Sequence, residues 1–354
     1  MRYFRLFLCL VVIASTSTLH AAKPLFSDQV LYQRGDRGFH TYRIPALLVT
    51  KKGTVLALAE ARKNSGSDAG DIDLVVRRSK DGGKTWGKTL TIHDGGDNTV
   101  GNPCPVVDRR TGTIWLPFSI NNKQILICKS TDDGKTWSKP RDITKTALLK
   151  NWHWVGPGPG HGIQLANGRM VIPSWAGLKK DVPFGGPQIS YVFYSDDSGR
   201  TWKAGGAGTP DMSDECEVAE IAPNVMYMTA RSRKGKRLRA YHFSKDGGNT
   251  WTKTKFDKRL PEPSCQGAII ALKGKSGTKF ITAWPSNPKQ RTQLKVHMSS
   301  DGCKTWPVSK IAYAGGSAYS DLAVTKDGVV LLLFEKDSYR TISLLRFNTA
   351  WLKK

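Results

Sequence analysis

Apolar residues along this chain come in short runs, broken by polar turn residues before any helical period can build. Leu74-Val75-Val76, Ile125-Leu126-Ile127, Tyr191-Val192-Phe193-Tyr194, Ala240-Tyr241-His242-Phe243 and Leu294-Lys295-Val296-His297 are of this kind. Short runs rich in β-branched and aromatic residues, bounded by Gly, Asp and Ser, predict strands. No long helical periodicity appears, so the chain reads as all-β. Each of these runs leads into the same eight-residue phrase. The copies are Ser79-Lys-Asp-Gly-Gly-Lys-Thr-Trp86, Ser130-Thr-Asp-Asp-Gly-Lys-Thr-Trp137, Ser195-Asp-Asp-Ser-Gly-Arg-Thr-Trp202, Ser244-Lys-Asp-Gly-Gly-Asn-Thr-Trp251 and Ser299-Ser-Asp-Gly-Cys-Lys-Thr-Trp306. They recur every 49 to 65 residues, and such a period marks an array of like units. Asp and Ser side chains bond nearby backbone N–H groups and fix a tight turn. The glycine supplies a positive φ, and the tryptophan is expected to pack the turn against its own unit. Five near-identical aspartates argue for structure, because a single active site needs unique residues.

The phrase Ser-x-Asp-x-Gly-x-Thr-Trp resembles the Asp box of sialidase-type β-propellers. Its fifth copy departs from the pattern, with Cys303 at the glycine position. The resemblance implies antiparallel blades of four strands. At about 40–50 residues per blade, the length suits six. The expected fold is therefore a single six-bladed β-propeller over residues 23–354. Five blades carry a box. The sixth is expected to join the two ends of the sequence, with Val30-Leu31-Tyr32 pairing with either 329–334 or 342–347. That closure would hide the sheet edges.

Residues 1–22 read as a secretion signal. Arg2 and Arg5 precede an apolar stretch over 6–14 that is too short to span a bilayer, and Ala21 and Ala22 offer a cleavage site. The expectation is a secreted or periplasmic protein with no stable membrane insertion. The five cysteines beyond it, Cys104, Cys128, Cys216, Cys265 and Cys303, show neither a disulfide framework nor zinc spacing. Lys and Arg number 54 against 29 Asp and Glu, a net charge of +25. Such a field attracts acidic ligands. The densest basic patch, Arg231-Ser-Arg-Lys-Gly-Lys-Arg-Leu-Arg239, reads as a solvated hairpin tip, and nucleic acid is not the expected partner.

Beyond the boxes, the chain resembles sialidases over nearly its whole length after residue 22. The motifs that carry this are Tyr42-Arg43-Ile44-Pro45-Ala46, then Glu60-Ala-Arg62 with Asp68-Ala-Gly-Asp71-Ile-Asp73. Next come Asp214-Glu215-Cys216-Glu217-Val218-Ala219-Glu220 with Thr229-Ala230-Arg231-Ser232. Arg291 lies eight residues before the last box, and Ala318-Tyr319-Ser320-Asp321-Leu322 follows it. Sialic acids carry a carboxylate on the anomeric carbon, and arginine offers the fork geometry that binds it. The resemblance assigns that role to Arg43, Arg231 and Arg291, with Arg62 nearby. A carboxylate nucleophile would be repelled by the substrate's own carboxylate, and sialidases use tyrosine instead. The resemblance makes Tyr319 the nucleophile, Glu215 its base and Asp68 the acid/base. Glu217 and Glu220 remain alternatives for the base, and Asp71 and Asp73 for the acid. Trp152, Trp154 and Trp175 are candidates for stacking on the sugar. His161, in a glycine-rich loop, is the one histidine worth placing. No metal or organic cofactor is implied.

The expected function is exo-α-sialidase action on sialylated glycans. One rival is a propeller that binds glycans without hydrolysis. Another is a related enzyme that transfers sialic acid, releases an anhydro sugar or prefers a deaminated substrate.

Overall fold

The computed structural model of the protein describes residues 23–182, 186–274 and 276–354. The signal segment expected over 1–22 lies outside the described residues. Among the described residues, no helix is long and apolar enough to cross a membrane.

Strands follow one another as antiparallel neighbours in four-stranded units. The first is Thr41–Val49, Val55–Arg62, Ile72–Ser79 and Leu90–His93. The second joins two short inner strands, Val100–Gly101 and Val106–Val107, to Ile114–Ile120, Gln124–Ser130 and Arg141–Asp142. The third likewise joins His153–Pro157 and Ile163–Gln164 to Met170–Gly177, Gln188–Ser195 and Lys203–Ala207. The fourth is Ser213–Ala222, Val225–Ser232, Leu238–Ser244 and Lys255–Pro261. The remaining strands form one seven-stranded sheet rather than two separate blades. The reason is the 17-residue strand Val308–Val324. Its 308–316 half pairs with Thr292–Ser299, and its 317–324 half pairs with Val330–Lys336. Among the described residues the strands form five continuous sheets, the largest of which holds two four-stranded units that share the strand Val308–Val324.

Closure takes one of the two expected routes. Phe26–Gln33 pairs antiparallel with Thr341–Phe347, with Val30 opposite Ser343 and Tyr32 opposite Ile342. Apolar clusters fill every seam between neighbouring units. Leu31, Val55 and Leu331 mark the seam between the sixth and first units, and Leu58, Leu74 and Leu116 the next. Ile127 and Ile172, Val192 and Val218, Tyr227 and Ile269, and Ile281 and Leu332 belong to the clusters of the others.

In all five boxes the Ser hydroxyl and the Thr amide donate to the Asp carboxylate. In the second, Ser130 Oγ donates to Asp132 Oδ1 at 2.9 Å, and the Lys135 and Thr136 amides donate to the same carboxylate at 3.0 and 2.9 Å. The box tryptophans reach beyond their own units as well: Trp202 packs on Phe193 of its own unit at 5.7 Å and also on the neighbour. Trp86, Trp137, Trp202, Trp251 and Trp306 each enter the cluster shared with the preceding unit. Trp202, for instance, packs edge-on against Trp115 at 6.4 Å. The box backbone also approaches that neighbour closely: a Cβ at Gly199 would lie 2.1 Å from Trp115. The sixth unit has no box, yet its seam receives Trp351 from the helix Thr349–Lys353.

Asp132→Ala should destabilise the protein by about 1–2 kcal/mol, the net worth of the lost turn bonds. Partial burial opposes ionisation of Asp132, but bonds from Thr136, Ser130 and Lys135 outweigh it and bring its pKa down to about 2. The carboxylate's contribution is thus full above the ordinary carboxylate range and vanishes as pH falls through about 2. Thermal unfolding should therefore show a lower Tm for the variant at neutral pH and a narrowing gap on acidification.

Candidate active site

Antiparallel order decides which face can carry a site. Inner strands begin, and second strands end, on the face opposite the boxes. Arg43 lies near the start of Thr41–Val49, while Arg62 closes Val55–Arg62. Glu215 lies near the start of Ser213–Ala222, Arg231 near the end of Val225–Ser232, and Arg291 just ahead of Thr292–Ser299. Arg43 and Arg291, 248 positions apart in sequence, thus meet on one rim.

At the site the inner strands are irregular. Pairing slips between Arg43 and Ala46, between Ser213 and Cys216, and between Ser317 and Ser320. These are the stretches that carry Arg43, Glu215 and Tyr319. Bulges bend a strand and re-aim its side chains. In the first, Ile44 adopts φ 55°, a costly conformation for a β-branched residue, and Pro45 follows it. The Ile44 amide is held by Glu335 Oε1 at 2.9 Å.

Tyr319 and Glu215 face each other across the axis. Tyr319 Oη donates to Glu215 Oε1 at 2.6 Å, and Arg231 Nη1 donates to Tyr319 Oη at 2.9 Å. Arg231 Nη1 also lies 2.8 Å from Glu215 Oε2, outside hydrogen-bond alignment. Burial and the facing Glu215 carboxylate hold the Tyr319 phenol well above its ordinary value, against the pull of Arg231 and Arg291. Burial likewise raises Glu215, only partly offset by Arg231.

The other arginines surround this pair. The Arg43 and Arg291 guanidiniums stand 5.2 and 5.4 Å from the Tyr319 ring centre. Three arginines are oriented by buried carboxylates. Glu335 takes Arg43 Nε and Nη2 at 2.9 and 3.1 Å, Glu60 takes Arg62 Nε and Nη2 at 3.1 and 2.7 Å, and Asp214 takes Arg231 Nε and Nη2 at 2.8 and 2.7 Å. Arg291 instead donates to Tyr339 Oη and to the Ser264 carbonyl. Asp68 projects from the loop after Arg62 with its side chain 71% exposed, 2.7 Å from Arg62 Nη1 and 3.1 Å from Arg43 Nη1. Partial burial would raise its pKa, but Arg62 and Arg43 outweigh that and hold it low.

A cavity of about 560 Å³ opens here, within the range of small-molecule sites. Tyr319, Glu215, Arg231, Arg62 and Asp68 line it, together with Trp154, Trp175 and Asn102. Arg43 and Arg291 lie over the ring of Tyr319 at its edge, and Arg43 touches the lining residue Asp68. Trp152 packs instead on Tyr191. Glu220 is bonded to the Ala166 and Asn224 amides toward the box face, away from Tyr319. Asp73 is buried on its strand, where burial and the nearby Asp94 and Asp71 push it up to about 6, and neither Asp71 nor Asp73 lines the cavity. Glu217 lies one layer below Glu215. There it forms, with His161 and Asp321, the one trio of metal-ligand-type atoms among the described residues, all within 4.8 Å. Glu335 and Tyr339 are missing from the motif reading, and Glu60 stands in it without its role as the partner of Arg62. They sit on second strands and turns, where one acidic or aromatic residue looks like any other.

A family model described as a BNR repeat-like domain matches residues 53–332. A sialidase of Bacteroides fragilis is 32% identical over 90% of this chain and 63% of its own length. Sialidase-3 of Rattus norvegicus is 31% identical over 86% of this chain and 90% of its own length. The chain belongs to the sialidase family. This sialidase-family chain spans 63% and 56% of the lengths of the Bacteroides fragilis and Micromonospora viridifaciens sialidases. Among solved structures, a Hadza microbial sialidase superposes with a TM-score of 0.81 at 29% identity, covering 89% of this chain and 66% of that one. An intramolecular trans-sialidase from Ruminococcus gnavus shares the fold, with a TM-score of 0.80 at 18% identity over 91% of this chain and 98% of its own.

Glu335 makes a direct test of how this family member holds its arginines. Glu335→Ala strands the buried Arg43 guanidinium and frees the Ile44 and Tyr319 amides. Breaking one side of a buried ion pair costs about 3–5 kcal/mol. Urea unfolding should show a loss of that size; a loss below about 1 kcal/mol would mean Arg43 finds another partner.

Proposed function

We propose that the chain is an exo-α-sialidase, hydrolysing terminal sialic acids from glycoconjugates with retention through a covalent bond to Tyr319. The observation that carries this reading is the Tyr319–Glu215 pair, a neutral phenol 2.6 Å from a buried carboxylate and flanked by arginines. Tyrosine is a poor nucleophile at its ordinary pKa and needs a base within hydrogen-bond reach. Glu215 takes the phenol proton as Tyr319 Oη bonds to the anomeric carbon. Arg43, Arg231 and Arg291 hold the sugar's carboxylate, with Arg62 beside them. Asp68 gives its proton to the departing glycan oxygen and then takes one from the water that releases the sugar. In the free protein Asp68 is held as an anion by Arg43 and Arg62. An arriving carboxylate competes for Arg43, loosens that hold and lets Asp68 rise toward protonation. The chemistry draws on side chains alone. The strongly basic surface suits acidic glycans and speeds their encounter, an advantage screened by salt.

Mature protein and a fluorogenic α-ketoside of N-acetylneuraminic acid test the reading. Released sialic acid supports hydrolysis. Transfer products, an anhydro sugar or preference for the deaminated analogue would move the protein to its relatives, and binding without turnover would make it a lectin-like propeller. Tyr319→Phe should lose nearly all turnover with its fold intact, and a fluorinated sialosyl inhibitor should label Tyr319 in the wild type. A labelled peptide elsewhere would refute the nucleophile. Because Glu215 must be ionised to act and its pKa is raised, the acidic limb of kcat/KM should lie above pH 4.5, with activity falling as pH drops through it.

Asp68→Asn separates acid catalysis from binding. Substrates with poor leaving groups should slow by about 10²–10⁴-fold, whereas activated aryl sialosides, which need little protonation, should slow far less. Equal losses on both would place Asp68 outside proton transfer.

A further inference from the structure

Beneath the Tyr319–Glu215 pair lies a second polar layer that the proposed chemistry does not use. Side chains two apart on a strand share a face. On Ser213–Ala222, Glu217 therefore follows Glu215, and on Val308–Val324, Asp321 follows Tyr319. All three members of the lower layer are buried, Glu217 and Asp321 at 0% exposure and His161 at 4%. His161 Nδ1 meets Asp321 Oδ1 at 2.7 Å and stands 3.6 Å from Glu217 Oε2. His161 reaches the axis on a loop that passes very close to Glu217: a Cβ on Gly160 would fall 1.8 Å from Glu217 Oε1.

Gln266 ties the two layers together. Its Nε2 donates to Glu217 Oε1 at 3.3 Å and to the Pro159 carbonyl at 3.1 Å. Its Oε1 accepts the Ser320 amide at 3.0 Å, in the peptide group that joins Tyr319 to Ser320. Asp321 Oδ2 also accepts the Leu47 amide at 2.6 Å, and Glu217 Oε2 accepts the Ile269 amide at 2.9 Å. Five of the six units thus meet in one layer, directly under the atoms proposed to react.

We propose that His161, Glu217, Asp321 and Gln266 form a positioning layer that sets the approach of Tyr319 to Glu215. The inference rests on the sialidase reading, in which those two residues react. The layer holds the inner strand bearing Tyr319 against the one bearing Glu215 across the channel axis, just where both strands bulge and regular pairing no longer fixes their spacing. Protons, rather than a metal ion, close it. Burial and the facing Asp321 carboxylate push Glu217 well up, which favours its neutral form. The oxygens on Glu217 and Asp321 already accept amide donors, and the imidazole nitrogen nearest them already faces Asp321. The other nitrogen, Nε2, is buried without a partner and points away from the trio.

The test uses full-length protein with an aryl sialoside, together with the Ki of an unsaturated sialic-acid analogue that engages the arginines but does not react. His161→Leu removes the link to Asp321, whereas His161→Asn keeps a donor near the Nδ1 position. Gln266→Met cuts only the tie between layers and guards against a His161→Leu that fails to fold. His161→Leu and Gln266→Met should each lower kcat by about tenfold or more, with Ki within about threefold of wild type. The rate of Tyr319 labelling should fall in step with kcat, and His161→Asn should recover most of it. Turnover unchanged in folded Gln266→Met and His161→Leu would overturn the proposal. So would Ki, kcat and Tm declining together, which would make the layer a packing element only. Metal analysis of purified wild type showing one equivalent of bound cation would overturn the proton-closed layer. An inactive wild type would instead refute the sialidase reading itself.

Discussion

Ring closure is the constraint on which the rest of the structure depends. Backbone pairing between Phe26–Gln33 and Thr341–Phe347 brings the first and sixth units side by side. Only then does Arg43 lie against Glu335, 292 residues away, and only then does Glu335 reach the amides of both Ile44 and Tyr319. A single carboxylate thus fixes an arginine, a strained bulge and the backbone of the tyrosine. The contacts to Arg43 and Ile44 span 292 and 291 residues, whereas the Tyr319 amide lies 16 residues from Glu335 on the paired strand. Each is available because the strand order leaves no alternative neighbour once the sheet has closed.

The boxes serve this closure more directly than a turn motif suggests. Each tryptophan fills the seam with the unit before it, so a box is both a hairpin and a joint. Cys303 shows how far the motif can bend. It keeps the positive φ of the glycine it replaces, at 64°, and its side chain is buried in the seam with Tyr227. The face without boxes is free of that duty, and there the inner strands slip register at Arg43, Glu215 and Tyr319. On the inner strands that carry Arg43 and Tyr319, the bulge sits at the site end and pairing is regular beyond it, which divides stability from site geometry along one strand.

What the sequence could tell follows from this division. The boxes were legible because their hydrogen bonds lie within eight residues. The arginines, Tyr319 and Asp68 were legible by resemblance, in the order the motifs appear. Glu215 and Glu217 were not separable by phase, since both point to the axis; depth along the channel distinguishes them, and depth is a property of the assembled ring. Glu335 and the orienting roles of Glu60 and Asp214 were hidden for a related reason. A buried guanidinium needs a carboxylate, but nothing local says which of 29 acidic residues will supply it. The seam role of Trp351 was equally silent, because it reaches by a helical turn the place that other tryptophans reach by a box.

The distance between the closing strands also sets a clock. The Leu25 amide bonds to Asn348, 323 residues away. During synthesis, the first five units can pair their own strands as they emerge, since each is built from neighbours in sequence. The rim around Tyr319 cannot form until residue 347 is free to meet Phe26. Contacts of such long range are slow to form. Throughout that interval Arg43 has no Glu335, and the first unit shows an open apolar edge where Leu331 and Leu344 will later pack. A nascent chain is therefore an incomplete arc with a sticky end, and the site comes into being in one late event rather than by degrees.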